Sequence, residues 1–358
     1  MRNPGVDWES LPAIRTGVRV WSHTSKNPLN YTVMDWCNYT LRDTNGYEQA
    51  YFKGKPGMLV QGWFGSYMGV GNLKLHLGDQ PTPNYNQPFP SYFNGTSHPF
   101  WLWYQNDNML WAFPCLPFDS TFKATVEKMP QWYQYTLHLY REPRFSEAVT
   151  AEESAILKNK IAAPVGTFPG ANSGNRTQSS NSVVIPAQGT TTLFDAHQGG
   201  VIRSIKITPP SANSTVLDNL TIRLTTDGAV TAELPASLFF GGYVNVDMSK
   251  AKGIAAGFDG KSLYCYFPMP FWKSMRIELV NNQSVSVSPM AWNIGWSDTN
   301  NYPQESTGSF RVHYNDKVPV LLGGSSLANL DVQGSGMLVG CSSEIAGGGR
   351  SEFHDLRR

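Results

Sequence analysis

The stretch YCYFPMPFWKSMRIELVNNQ, Tyr264 to Gln283, is echoed earlier in the chain by WAFPCLPFDSTFKATVEKMP, Trp111 to Pro130. Proline donates no ladder hydrogen bond, so Pro268 and Pro270 around Met269 mark a place where a strand leaves its sheet. After the bend, Met275, Ile277 and Leu279 alternate with Arg276 and Glu278, the period of a half-buried strand. Two neighbouring blocks recur in the same order. Gly57 matches Gly200 at an offset of 143, Asn72 matches Asn219 at 147, and Pro117–Phe118 matches Pro270–Phe271 at 153. An ordered set of blocks whose offset drifts as loops lengthen is the mark of a duplicated unit.

Each block reads as a short strand. Leu73, Leu75 and Leu77 alternate with polar residues, as do Leu220, Ile222 and Leu224, and LTTDG supplies a tight turn at Gly228. GMLVQGWF and GVIRSIKI are strands that start from a glycine. Aromatics make up 13% of the chain and charged residues only 15%, with 33 Gly and 24 Pro, a mix suited to many strands and turns. The expected fold is all-β: tandem jelly-roll sandwiches with one linking helix. That helix is VTAEESAILKNKIAAP, where Thr150 and Glu153 form a capping box and Pro164 follows the end. The following GTFPGANSGNRTQSSNS, Gly166 to Ser182, reads as a linker or surface loop. The expected divisions are residues 1–145 for the first roll with an N-terminal arm and 146–185 for helix and linker. Residues 186–300 form the second roll, and 301–358 hold C-terminal strands or a tail that ends early.

A net charge of +1 gives no footprint for nucleic acid or a membrane surface, and no apolar run reaches the ~20 residues of a membrane span. The N-terminus carries no apolar signal-peptide core, so cytoplasm and virion both stay open as compartments. Cys37, Cys115, Cys265 and Cys341 are scattered and read as reduced core residues, although seven N-x-[ST] sequons leave the compartment open. The seven histidines form no local ligand pair, so no metal or cofactor is expected. QGSGMLVG lacks the lysine and helix of a phosphate loop and reads as a turn before a strand at Met337–Val339.

The aromatic run PFWLWYQNDNMLWAF places Trp101, Trp103 and Trp111 on two strands joined at NDN. Such rings bury ~150–250 Å² each in a core and also stack on the apolar faces of sugars, so they are candidate carbohydrate-binding residues. Asp195, Asp227, Glu233, Glu278, Asp331 and Glu344 are of the type a glycosidase needs, but their spacing identifies no catalytic pair. Pro117, Phe118, Pro268, Pro270 and Phe271 are taken as fold-determining residues.

The blocks VIRSIKI, LDNLTIRLTTDG, AELPASLFFG, YFPMPFWKSMRIEL and LDVQGSGMLVG resemble, in order, those of glycoside hydrolase family 172. Leu234, Phe239, Phe240 and Gly241 match its PLGDFFG-type segment, and Gly334, Gly336, Val339 and Gly340 its EGRGHYVG-type segment. The resemblance implies a double jelly roll, homotrimers or larger homo-oligomers, and retaining hydrolysis of α-D-fructofuranosides or D-arabinofuranosides by two glutamates. Those glutamates belong to WWGEGDE-like and GTGTEDY-like segments, and neither segment follows Gly340 here, so no catalytic residue carries over. The same fold resembles capsid proteins of certain double-stranded DNA viruses. Three readings therefore stand: a furanosidase-like protein without its catalytic segment, a structural capsid-type protein, and a non-catalytic carbohydrate-binding sandwich pair.

Overall fold

The computed structural model describes residues 7–25, 41–43, 46–65, 71–93, 100, 103–106, 109–112, 114–128, 132–141, 150–171, 173–211, 214–242, 248–314, 333, 335–337 and 339. The chain divides into two compact units: Thr16–Asn159 make up most of the first, while Asp7–Arg15 group with the chain from Lys160 onward in the second.

The first unit contains β1 (Val18–Thr24), β2 (Leu41–Asp43), β3 (Gly46–Lys53), β4 (Gly57–Gly65), β5 (Asn72–His76), β6 (Tyr85–Pro88), β7 (Trp103–Asn106), β8 (Met109–Ala112), β9 (Leu116–Phe118), β10 (Thr121–Val126) and β11 (Trp132–Tyr140). One sheet runs β1-β11-β4-β8-β7, with β9 also on β4, and the other runs β2-β3-β10-β5-β6. The helix α1, Ala151–Ala162, follows. The second unit contains β12 (Arg176–Ile185), β13 (Thr190–Ala196), β14 (Gly200–Thr208), α2 (Ser214–Asp218), β15 (Leu220–Thr226), β16 (Ala229–Pro235) and α3 (Ala236–Phe239). It continues with β17 (Ala256–Phe258), β18 (Leu263–Cys265), β19 (Met269–Phe271), β20 (Met275–Asn281) and β21 (Val287–Ser297). Its sheets run β12-β21-β14-β18-β17, with β19 also on β14, and β13-β20-β15-β16.

Both units follow one rule. Among eight principal strands, the first, eighth, third and sixth share one sheet, and the second, seventh, fourth and fifth share the other. That interleaving is the double Greek key of a jelly roll, so the chain is a tandem of two jelly rolls. The repeated bend lies in the sixth strand. It differs in one respect from the sequence expectation: the strand does not leave its sheet at the prolines. Both pieces, β8 and β9 or β18 and β19, stay on the same partner strand. The crossing to the other sheet comes a few residues later, after Phe118 and after Phe271.

The registers of the two bends agree. Gly57 stands opposite Phe118, and Gly200 opposite Phe271. A Cβ on Gly57 would lie 2.5 Å from the Phe118 ring, and one on Gly200 2.7 Å from the Phe271 ring. Each phenylalanine therefore occupies the space that a side chain would take. Further along, like backbone bonds close the start of the fourth strand in each roll: Glu127 N–H donates to the Asn72 carbonyl and Asn282 N–H to the Asn219 carbonyl.

The helix α1 carries both halves of its capping box: Glu153 N–H donates to Thr150 Oγ1 at 3.1 Å, and Thr150 N–H donates to Glu153 Oε2 at 3.2 Å. Two short helices, α2 and α3, interrupt the second roll, beyond the single linking helix read from sequence. Arg176–Ile185 is a strand rather than a loop. Its polar composition fits an edge position, because nine of its ten residues are exposed or half-buried. Met337 and Val339 lie in no strand. Cys115 and Cys265 are buried free thiols, and burial pushes the Cys265 thiol up to about 12; Cys37 and Cys341 lie outside the described residues.

The glycine–phenylalanine contact gives a direct test. Gly57→Ala and Gly200→Ala should each lower stability by about 1–3 kcal/mol, because backbone atoms as well as rings crowd the new methyl. Gly78→Ala, with open space around it, should leave the melting temperature nearly unchanged. Equal melting shifts for the three variants would overturn the role given to the contact.

Candidate functional site

The register places the candidate tryptophans apart. Trp103 stands opposite Ala112, which is buried, whereas Trp111 stands opposite Tyr104 on one side and Trp63 on the other. Because strand neighbours alternate between faces, the Trp103 and Trp111 positions lie on opposite faces of the sheet. Trp101 lies outside the described residues. What the ladder brings together is Trp63 with Trp111: both are half-buried, with ring centroids 6.5 Å apart and planes tilted by 50°. Trp63 was not singled out by sequence. Its alternation with Phe64 places it on the outer face, but only the pairing of β4 with β8 puts it beside Trp111.

The carboxylates occupy three kinds of place. On the outer face of the β13-β20-β15-β16 sheet, Thr192, Glu278, Arg223 and Glu233 form one row across four strands. Arg223 Nη2 donates to Glu233 Oε1 at 2.6 Å, and this bond raises the guanidinium above its ordinary value. Nearby, Arg276 Nη2 donates to Asp195 Oδ2 at 2.7 Å, and His197 Nε2 lies 3.5 Å from Asp195 Oδ1. A retaining glycosidase needs two carboxyls about 5–5.5 Å apart. Glu278 and Glu233 sit two strand spacings apart, roughly 9–10 Å along the backbone. The arginine strand lies between them, where a sugar or water would have to enter.

Asp227 has another task. It takes a left-handed φ of 52° in the β15–β16 turn. From there its Oδ1 accepts N–H donors from Trp272, Lys273 and Ser274 at 3.0, 2.6 and 3.1 Å. The carboxylate thus grips the turn that carries the chain from the sixth to the seventh strand. The first roll repeats the device: Asp79, after β5, accepts from the Thr121 hydroxyl at the start of β10 and pairs with Lys53 at 3.2 Å. Asp331 and Glu344 lie outside the described residues.

The core of the first roll keeps a void of about 10 Å³, lined by Leu59, Phe64, Tyr92, Phe100 and Tyr135 among others. A space of that size has room for about one water at most and none for a sugar ring. Among the described residues, no group of three or more His, Cys, Asp or Glu is placed to hold a metal, and no helix is long and apolar enough to cross a membrane.

Residues 174–294 match the family described as GH172 domain-like, from just before β12 into β21. The second jelly roll is therefore the part of the chain that carries the glycoside hydrolase family 172 resemblance. Among solved structures, the chain is similar to the STIV MCP at 10% identity and a TM-score of 0.21, over 77% of this chain and 97% of that one. It is also similar to the major capsid protein P2 of bacteriophage PM2 at 8% identity and a TM-score of 0.20, over 79% and 100%. A conserved protein of unknown function from Pseudomonas aeruginosa PAO1 follows at 9% identity and a TM-score of 0.18, over 79% and 100%. No curated protein matches the sequence. The jelly rolls rest on the strand ladders and not on these likenesses.

Two measurements follow from the corner carboxylates. Asp227→Ala should cost about 1.5–3 kcal/mol, the range for hydrogen bonds to a charged group, whereas Glu278→Gln should cost about 0.5 kcal/mol or less. Equal losses in thermal melts would refute the distinction. The Thr121 hydroxyl, and after it Lys53, hold the Asp79 carboxyl below its ordinary value. That carboxylate therefore contributes stability above the ordinary carboxylate range, and the contribution is lost as pH falls through the lowered value. Asp79→Asn should flatten the acid side of the stability curve, and an unchanged slope from neutral pH down to about pH 2 would refute it.

Proposed function

We propose that this chain is a double jelly-roll protein of the furanosidase-like type that binds carbohydrate and does not hydrolyse it. One observation carries the reading: Asp195 and Glu233 are committed to arginines and Asp227 to a turn, and the Arg223 strand separates Glu278 from Glu233. A retaining mechanism needs one carboxylate free to attack and a second carboxyl to donate a proton. The half-buried Trp63–Trp111 pair supplies an apolar platform of the kind on which sugar rings stack. The resemblance of residues 174–294 indicates furanosides as the class to try first.

The duplication favours a second reading, a structural protein that assembles as homotrimers. Two rolls of like topology in one chain let three copies present six similar units around an axis. Light scattering after gel filtration distinguishes it: a species of three times 39.7 kDa is expected, and a monomer at micromolar concentration removes it.

The first reading is tested with p-nitrophenyl α-D-arabinofuranoside and α-D-fructofuranoside. No turnover is expected, together with saturable binding of an arabinofuranosyl oligosaccharide that Trp111→Ala weakens. Turnover abolished by Glu278→Gln or Glu233→Gln would show that a carboxylate placed here on the outer face is catalytic.

A further inference from the structure

The segment Asp7–Arg15 makes the contacts of a docked peptide. Trp8 Nε1 donates to the Tyr266 carbonyl at 2.8 Å, and its ring lies nearly parallel to Phe267, with centroids 6.3 Å apart. Glu9 forms an ion pair with Arg203. The Tyr302 hydroxyl donates to the Glu9 carbonyl at 2.7 Å and reaches Glu9 Oε2 at 3.1 Å. Beyond these side chains the backbone pairs. Ile14 N–H donates to the Ser306 carbonyl and Gly308 N–H to the Pro12 carbonyl, each at 2.8 Å, around an antiparallel bridge of Ala13 with Thr307. An aromatic contact, an ion pair and a single bridge of backbone pairing together hold the segment on the second unit.

The receiving side is built for a carboxylate. Arg203 is the extra residue of a bulge between Ile202 and Ser204, so its side chain turns out of the regular ladder. It is 92% buried, lies over the Tyr302 ring at 5.9 Å and reaches Ser297 Oγ at 3.5 Å. A cation so buried needs an anion beside it. Glu9 supplies that anion without filling the site: its Oε1 is buried and meets no donor among the described residues.

We propose that the second jelly roll carries a peptide-docking site for an aromatic–acidic segment, occupied here by Trp8–Ile14 of its own chain and open to the same segment of a second copy. The site uses none of the residues of the tryptophan pair or the arginine–carboxylate rows, so it stands or falls separately from the carbohydrate reading.

The test uses the full chain with a protease recognition sequence inserted between Thr16 and Gly17. After cleavage, a fluorescent peptide DWESLPAIR stands in for the second copy's segment. The expected result is saturable exchange of the resident segment for the labelled one, followed by anisotropy. Trp8→Ala and Glu9→Gln in the peptide, and Arg203→Met in the chain, should each weaken binding by at least about tenfold. A folded, cut chain that neither exchanges nor rebinds the segment would overturn the proposal. So would equal binding of a scrambled peptide, or unfolding on cleavage, since that makes the segment part of the core rather than a ligand.

Discussion

A phenylalanine ring laid over a glycine closes each jelly roll. The sixth strand ends on Phe118 in one roll and on Phe271 in the other, and the next residues carry the chain to the opposite sheet. Where that phenylalanine sits decides where the crossing starts. The ring meets Gly57 or Gly200, the first residue of the third strand, so the contact ties the start of one strand to the end of another. The opposite side of the same corner is held by a carboxylate, Asp79 or Asp227, extended from the turn after the fourth strand. Apolar packing from within and charge-assisted hydrogen bonds from without thus fix one turn. A one-residue slip there would reverse the faces of the whole seventh strand.

This explains which parts were legible in the sequence. The glycine, the proline–phenylalanine pair and the alternating leucines are local marks, and their repetition disclosed the duplication before any pairing was known. Residues whose role depends on distant partners left no such mark. Arg203 looks like any basic residue in VIRSIKI until the bulge turns it inward and Glu9 arrives from 194 positions away. Asp227 looks like a turn residue or a catalytic candidate until its partners 45 to 47 positions on are known. The strand at Arg176–Ile185 escaped because an edge strand faces solvent on most of its surface, so its composition is that of a loop. The run PFWLWYQNDNMLWAF brings the tryptophans together in sequence, whereas the register separates Trp103 from Trp111.

The two rolls reach one topology with different interiors. The first is packed with rings, Phe64 against Phe89, Phe93 and Tyr135 at 4.8, 5.7 and 5.4 Å, and buries a polar bond from the Tyr135 hydroxyl to Gln49 at 2.6 Å. Burial drives the Tyr135 phenol well above its ordinary value, so it stays a donor to Gln49. The second is packed largely with aliphatic side chains, Ile202, Ile205, Ile207, Ile222 and Leu224 among them. Cores of matched volume can exchange composition while strand order persists. The match to the GH172 domain-like family falls on residues 174–294, while the corner contacts are common to both rolls.

The charges divide along the same lines. Arg223 and Arg276 are a third to a half exposed, and water screens pairs of that kind so that they add little to stability. Their rows keep the outer sheet face polar and soluble rather than holding the fold together. Arg203 is in a different regime, since a buried guanidinium without its partner is costly. Placing such a residue on a bulge makes the second roll depend on a carboxylate that the roll itself does not supply. In sequence, Thr16–Asn159 separate the segment that brings Glu9 from the part of its unit that carries Arg203. A site that requires an anion, and receives it from a segment so distant in sequence, has the form of a receptor and its ligand.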